Sequence, residues 1–333
     1  MESSFYLVKN DEEKTDTHDS EYREIMSTLP KAKDYSNYGQ DLYQYQGFWY
    51  IIPLLEGVLS AQNNFMARSN DIIVASFMKT GTTWLKALAF AIVTRASFDL
   101  DSANPLLKKV PHDCIPFLEF DLAKDSSNRD LTNPLVSTHM PYTSLPKSIV
   151  DCGCKIVYIW RDPKDVFTSM WFFLAKALMP MGVKPDPLEE AFEMFCKGFT
   201  YHGPYWDHIL GYWEAKQKFP EKILFLKYEE MKRDTSSYVK KLAEFMGYPF
   251  SLEEEEEGVV EHIISLCSFE NLSNLEVNKT GKHRENTSKA MDNQVFFRKG
   301  KTGDWENHLT PEMGARLDEI MRQKLTGSGL ANY

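Results

Sequence analysis

Residues 72–93 read IIVASFMKTGTTWLKALAFAIV, a pattern suited to holding an anion. The apolar run from Ile72 to Phe77 predicts a buried strand. Lys79-Thr80-Gly81-Thr82-Thr83-Trp84 follows, and helical spacing begins at Leu85, Leu88, Ala89, Ile92 and Val93. The first turn of such a helix offers free backbone N–H groups, and the helix dipole favours negative charge there. Thr82 and Thr83 add hydroxyl donors, and Lys79 adds a mobile cation. The lysine precedes the glycine and the order GxxxxGK[ST] is absent, so the turn is not a Walker A loop. The expected ligand is phosphate-like, held otherwise than ATP usually is.

Other residues suited to anion chemistry also sit at strand ends. Lys155 to Trp160 predicts a second buried strand, broken by Arg161-Asp162-Pro163. Asp162 suits an N-cap and Pro163 the first helical position, with Ser169 inside a helix running through Phe172. An extended segment from Leu135 to Ser137 delivers His139, and a strand from Lys222 to Leu226 ends near Tyr228. Strands alternating with helices imply a mostly parallel sheet, whose ligands sit beyond the carboxyl ends of the strands. Lys79, His139, Arg161 and Tyr228 therefore fall on one rim. A guanidinium fork at Arg161 suits phosphate oxygens. The glycine of Arg298-Lys299-Gly300 permits close backbone approach. Trp84 and Phe269 are candidates to sandwich a flat ring.

The remaining elements are scaffolding. Leu188–Phe199, His208–Lys218 and Glu312–Leu325 have amphipathic or helical patterns, and Ser251 with Glu254 has capping-box spacing. Residues 278–297 are polar with few apolar anchors and read as a long loop of the kind that often serves as a lid. At 333 residues and 43% apolar content, the chain can bury one large α/β core. Residues 1–40 read as a polar N-terminal tail and 41–333 as the single domain. No signal peptide is visible at the start. The formal charge of −10 disfavours a nucleic-acid partner, and a mean hydropathy of −0.41 with no long uncharged apolar run disfavours a membrane span. Five cysteines, an odd number, suit free thiols in a reducing, cytoplasmic setting. Cys152-Gly-Cys154 lacks a second pair, and no histidine has a partner at zinc spacing, so no metal is expected.

Taken together, these residues resemble the cytosolic sulfotransferase family. FMKTGTTWLKAL (77–88), YIWRDPKDVFTSMW (158–171) and FRKGKTGDW (297–305) carry the resemblance, supported by LCSFENL (266–272) and STHMPY (137–142). It runs from about Gln46 to Leu330. LPK near the start, FWY before the first helix and SFENLSNLEVNK look like the plant soluble branch. The resemblance implies one α/β domain with a P-loop-like turn, and 3′-phosphoadenosine 5′-phosphosulfate (PAPS) as sulfuryl donor. By matched position, Lys79, Thr80, Gly81, Thr82, Thr83 and Trp84 would hold the 5′-phosphosulfate. Arg161, Ser169, Arg298, Lys299 and Gly300 would hold the 3′-phosphate. Tyr228, Cys267, Ser268 and Phe269 would frame the adenosine. His139 would be the base, with Lys79 stabilising the leaving oxygen.

Some positions depart from that pattern. Ser137 stands where animal relatives usually carry a lysine, and Met78 where a proline commonly precedes Lys79. Of the animal tail motif KxxxTVxxxE only Thr310 survives, which favours a monomer. The acceptor is expected to be a small plant metabolite. KYEEMKRD, YVKKLAEFMGYPF and NPLLKK look closer to the desulfo-glucosinolate type, with flavonoid, brassinosteroid and hydroxyjasmonate acceptors as alternatives. Phe77, Met78, Tyr142, Phe172 and Tyr201 are the candidate acceptor wall. Two other classes compete: a P-loop kinase or NTPase, with Asp162 as its Walker B-type acid, and a non-catalytic nucleotide-binding protein.

Overall fold

A computed structural model describes residues 17–37, 40–123, 129–130, 132–285, 287 and 290–330. The first half of the chain runs α1 (Thr17–Thr28), β1 (Lys31–Asn37), β2 (Gln40–Tyr45), β3 (Phe48–Tyr50), α2 (Ile52–Asn64), β4 (Ile72–Ser76), α3 (Thr82–Thr94), α4 (Pro111–Cys114), β5 (Leu135–Thr138), α5 (Lys147–Asp151), β6 (Lys155–Trp160) and α6 (Pro163–Leu178). Next come α7 (Leu188–Cys196), α8 (Tyr205–Lys218), β7 (Ile223–Lys227), α9 (Tyr228–Arg233), α10 (Thr235–Met246), α11 (Leu252–Glu256) and α12 (Val259–Leu266). The chain closes with α13 (Phe269–Asn274), α14 (Glu276–Thr280), β8 (Lys282–His283), β9 (Met291–Asp292) and α15 (Pro311–Leu325).

The central sheet is parallel, in the order β5-β4-β6-β7. Its residues are apolar at nearly every position because both faces are covered. Ile73, Ala75, Ile156, Tyr158, Ile223 and Phe225 pack into one layer. Their alternates Ile72, Val74, Val157, Ile159, Leu224 and Leu226 pack into the other. The register pairs Ala75 with Thr138, Ser76 with Ile159 and Trp160 with Lys227, so the four carboxyl ends finish level. After β4 the chain moves to β5 on one side, then crosses to β6 on the other. The rim above β4 is therefore a topological switch point.

Of the segment 1–40 expected to be tail, residues 1–16 and 38–39 lie outside the described residues, and residues 17–37 differ from that expectation. Residues 17–37 carry α1 and β1, and Tyr22 and Met26 are buried in the core. Those two residues are four apart and share one helix face, an apolar stripe too narrow to stand out among charges. Residues 278–285 and 290–296 of the expected long loop hold the end of α14, the β8–β9 pair and a short 3-10 turn. Arg129 and Asp71 form a buried bidentate pair with both contacts at 2.7 Å, and Arg129 also reaches the Pro134 carbonyl. The pair ties the start of β4 to the approach to β5. Arg129→Met should lower stability by about 3–5 kcal/mol, because it strands a buried carboxylate. Urea unfolding that shifts by less than about 1 kcal/mol would contradict that role.

Candidate active site

Gly81 begins the site. It caps the N-terminus of α3 in the left-handed region, with φ 119°, and no side chain caps the helix. A Cβ there would lie 2.8 Å from the Tyr228 ring, so glycine is needed for both conformation and close approach. Thr80 does not face the ligand space. It is fully buried and its hydroxyl meets the Phe77 and Ile159 carbonyls at 2.8 and 3.0 Å, tying the turn to the sheet. The Thr82 hydroxyl is 2.7 Å from that of Ser76.

The turn opens onto a cleft of about 230 Å³. Its lining includes Lys79, Gly81, Thr82, Thr83, Trp84, His139, Arg161, Ser169, Tyr228, Cys267, Phe269, Arg298, Lys299 and Gly300, every candidate for nucleotide or base except Thr80. Trp84 and Tyr228 meet edge to face at 5.6 Å, and Phe269 lies against Phe297, so a flat ring has aromatic walls. Gly300, at φ 61°, lets the backbone cross the Phe269 ring where a Cβ would come within 2.5 Å. Cys267 is fully buried and burial pushes its thiol up, so its place is structural.

The positive charge is organised by two carboxylates. Asp165 holds Arg161 at 2.9 Å and accepts from the Gly303 and Trp305 N–H groups. Arg161 also donates to the Lys301 carbonyl and lies over the Tyr228 ring. Asp304 engages both Arg298 and Lys299. Burial opposes ionisation of Asp304, but hydrogen bonds from Lys299 and Arg298 hold its carboxyl well below the usual range. The Nε atoms of Arg161 and Arg298 are buried without a partner among the described residues. Donors of this kind, around a space with aromatic walls, fit a nucleotide carrying more than one anionic group. Lys79 stands in the left-handed region at φ 67°, its ammonium 4.2 Å from the Phe173 ring centroid. Burial, with the charges of Arg298 and Arg161, brings it down to about 7.

His139 follows β5 and its Nδ1 lies 2.7 Å from the Ser76 carbonyl. That nitrogen must carry the proton, which leaves Nε2 as an open base. Burial pushes the imidazole down to about 3, against the bond to Ser76, so it is neutral at ordinary pH. Its backbone N–H donates to Glu119 at 2.7 Å, and its carbonyl accepts from His208 at 3.0 Å. Glu119 also accepts from the Thr138 hydroxyl, which in turn accepts from the Met140 N–H.

The sequence did not single out Glu119, whose contacts span 19 and 20 residues. The block VPHDCIPFLE (110–119), with no recognisable catalytic spacing, also supplies His112, which lines the cleft. Among the five acceptor-wall candidates only Met78 lines it. Phe77 is fully buried against Tyr205 and His208, Tyr201 is buried, and Tyr142 packs on Tyr212. Phe172 lies under Arg298, and its neighbour Phe173 faces the cleft. Ser137 donates to the Pro116 carbonyl inside the sheet rim. Asp162 caps α6 at the Lys164 N–H and pairs with the Lys164 ammonium, so its carboxylate serves the helix rather than a metal. Among the described residues no cluster of three His, Cys, Asp or Glu side chains could hold a metal ion. Glu119→Ala should cost about 1–3 kcal/mol in urea unfolding by orphaning the His139 N–H, and Glu119→Gln, which keeps an acceptor, should cost less. Equal losses would show that the acceptor bond is not what matters.

The family model for the sulfotransferase domain matches residues 69–329. Cytosolic sulfotransferase 17 of Arabidopsis thaliana is 51% identical over 331 residues, spanning 98% of this chain and 95% of that protein. Flavonol 3-sulfotransferase of Flaveria bidentis is 50% identical, spanning 92% and 98%. Among solved structures, an Arabidopsis thaliana putative steroid sulphotransferase superposes with a TM-score of 0.72 at 36% identity, covering 95% of this chain and 97% of its own. A mouse sulfotransferase complexed with PAP superposes at 0.68 with 28% identity, covering 87% and 96%. No helix among the described residues is long and apolar enough to cross a membrane. The matches cover the anion turn, the sheet rim and the closing basic loop alike, and the chain belongs to the sulfotransferase family, alongside the cytosolic sulfotransferases of plants.

Proposed function

We propose that this protein transfers a sulfuryl group from PAPS to a hydroxyl or similar group of a small plant metabolite in the cytoplasm, acting as a monomer. The observation that carries this reading is the pairing of an open histidine base with a cationic, aromatic-walled cleft. His139, with its Nδ1 bound to Ser76, lines the same cleft as Lys79 and the uncapped start of α3. When bound, the donor supplies an activated sulfuryl group on a phosphate leaving group. Lys79 and the α3 N–H groups stabilise charge that grows on the leaving oxygen. Arg161, Ser169, Arg298, Lys299 and Gly300 hold the distal phosphate, and Trp84, Tyr228 and Phe269 hold the base. His139 takes the acceptor's proton through Nε2. No step in this scheme calls for a metal ion.

The acceptor side is apolar where it meets His139. The Phe117 ring lies 4.9 Å from the imidazole, and Met78, Phe173 and Phe296 line the adjoining wall. A desulfo-glucosinolate is the acceptor favoured by the sequence blocks. A flavonol is the second reading, supported by relatives named for flavonol sulfation at about half identity. A panel of both, with a brassinosteroid and a hydroxyjasmonate, discriminates them through labelled sulfate transfer with EDTA present. Transfer to one class is expected, and His139→Ala should lose roughly 100-fold or more of it. Undiminished turnover in that variant would remove His139 from the base role, and dependence on added magnesium would favour a kinase.

Lys79 gives an independent check. Held near 7 in the free protein, it is mostly neutral at pH 8. A bound polyanion raises its pKa, so binding of adenosine 3′,5′-bisphosphate at pH 8 should draw a proton from solution. Calorimetry in buffers of different ionisation enthalpy should show uptake in the wild type and none in Lys79→Met. Uptake of equal size in both would assign the proton elsewhere.

A further inference from the structure

Behind the anion turn lies a polar group that the transfer scheme above does not use. Lys86, on α3, is fully buried, and no carboxylate pairs with it among the described residues. Its ammonium lies 3.8 Å from the Phe117 ring centroid and 3.4 Å from His112 Nδ1. His112 is buried too, packed between Phe117 at 5.5 Å and Phe296 at 4.2 Å. Its other nitrogen, Nε2, lies 3.0 Å from the Thr83 hydroxyl. Asp121, Arg284, Cys114 and Glu119 also act on Lys86, and His139 and Lys79 on His112; His283 stands 5.7 Å from His112 and is engaged by Asp113.

The donor and acceptor rules then fix the direction of the chain. Burial lowers Lys86 to about 7; in its ammonium form it only donates, and then His112 Nδ1 accepts and the ring proton sits on Nε2. Nε2–H donates to the Thr83 oxygen. Thr83 has thereby filled an acceptor site, and its own hydrogen is left to point into the cleft that it lines. A threonine in the first turn of a helix is otherwise free to accept from a ligand or to bond back to the chain.

We propose that Lys86 and His112 form a buried relay that holds the Thr83 hydroxyl as a donor toward the phosphosulfate end of the bound sulfuryl donor. His112 and Lys86 are positioning residues: they act through Thr83. This inference rests on the donor reading proposed above.

The test is a mutant cycle on labelled sulfate transfer from PAPS, with folding checked by thermal unfolding. Thr83→Val and His112→Leu should each lower kcat/KM for PAPS roughly tenfold to a hundredfold, the effect of losing one hydrogen bond to a charged group. The double variant should lose no more than either single, because both remove one donor. His112→Gln, whose amide N–H falls near the place of Nε2–H, should recover most of the activity. Should His112→Leu fail to fold, Lys86→Met replaces it in the cycle, leaving the imidazole but freeing its tautomer. A His112→Leu enzyme as active as wild type, losses that multiply in the double variant, or no recovery by glutamine would overturn the relay. A wild-type protein that transfers nothing from PAPS would instead overturn the donor reading beneath it.

Discussion

Like charges held together in an acidic protein are the constraint on which this site depends. Lys79, Arg161, Arg298 and Lys299 converge on one helix start in a chain of net charge −10. Their mutual repulsion would scatter them if each stood on a free loop. Two carboxylates prevent that, and both are placed so as not to neutralise the cleft. Asp165 grips Arg161 from behind while accepting the N–H groups of Gly303 and Trp305, so one side chain ties α6 to the basic loop. Asp304 holds Arg298 and Lys299 from within that loop. The orphaned Nε atoms of both arginines show what remains unsatisfied. Donors buried in that state are costly until an anion arrives, which is a reason to expect tight nucleotide binding.

Much of the site was legible because its residues sit beside strand ends. Lys79, His139, Arg161 and Tyr228 each follow an apolar run, and a parallel sheet with level carboxyl ends has to gather them. Glycine at 81 and 300 was legible for a similar reason, since a tight turn beside a ring leaves no room for a Cβ. What escaped were residues whose meaning depends on contacts remote in sequence. Glu119 looks like one more surface acid, yet it is buried and holds the loop of His139. Lys86 sits in a helix packed nearly all round, where the apolar spacing marks the face of its neighbours but not its own burial. The acceptor wall failed by one position at Phe172 and Phe173, because consecutive helical residues point about 100° apart and only one can face the cleft.

Histidine is used in one consistent way along the rim. His139 gives its Nδ1 proton to the Ser76 carbonyl and keeps Nε2 open. His208 gives its Nε2 proton to the His139 carbonyl, so its Nδ1 accepts from the Tyr158 hydroxyl. In both, a group of fixed polarity on one nitrogen dictates what the other can do. Burial keeps both rings neutral, since charging them would cost desolvation that outweighs their hydrogen bonds.

In the transfer proposed above, the neutral state matters for catalysis as well as for packing. A protonated His139 would add one more cation to a crowded cleft and would have no lone pair for the acceptor's proton. A base held low in pKa is intrinsically weak, however, and it gains strength only as a negative neighbour arrives. A bound phosphosulfate supplies that charge beside Lys79. The same anion that restores the lysine's ordinary protonation also raises the basicity of the histidine. In that proposed scheme the proton is most readily taken when the sulfuryl group is in place to be attacked.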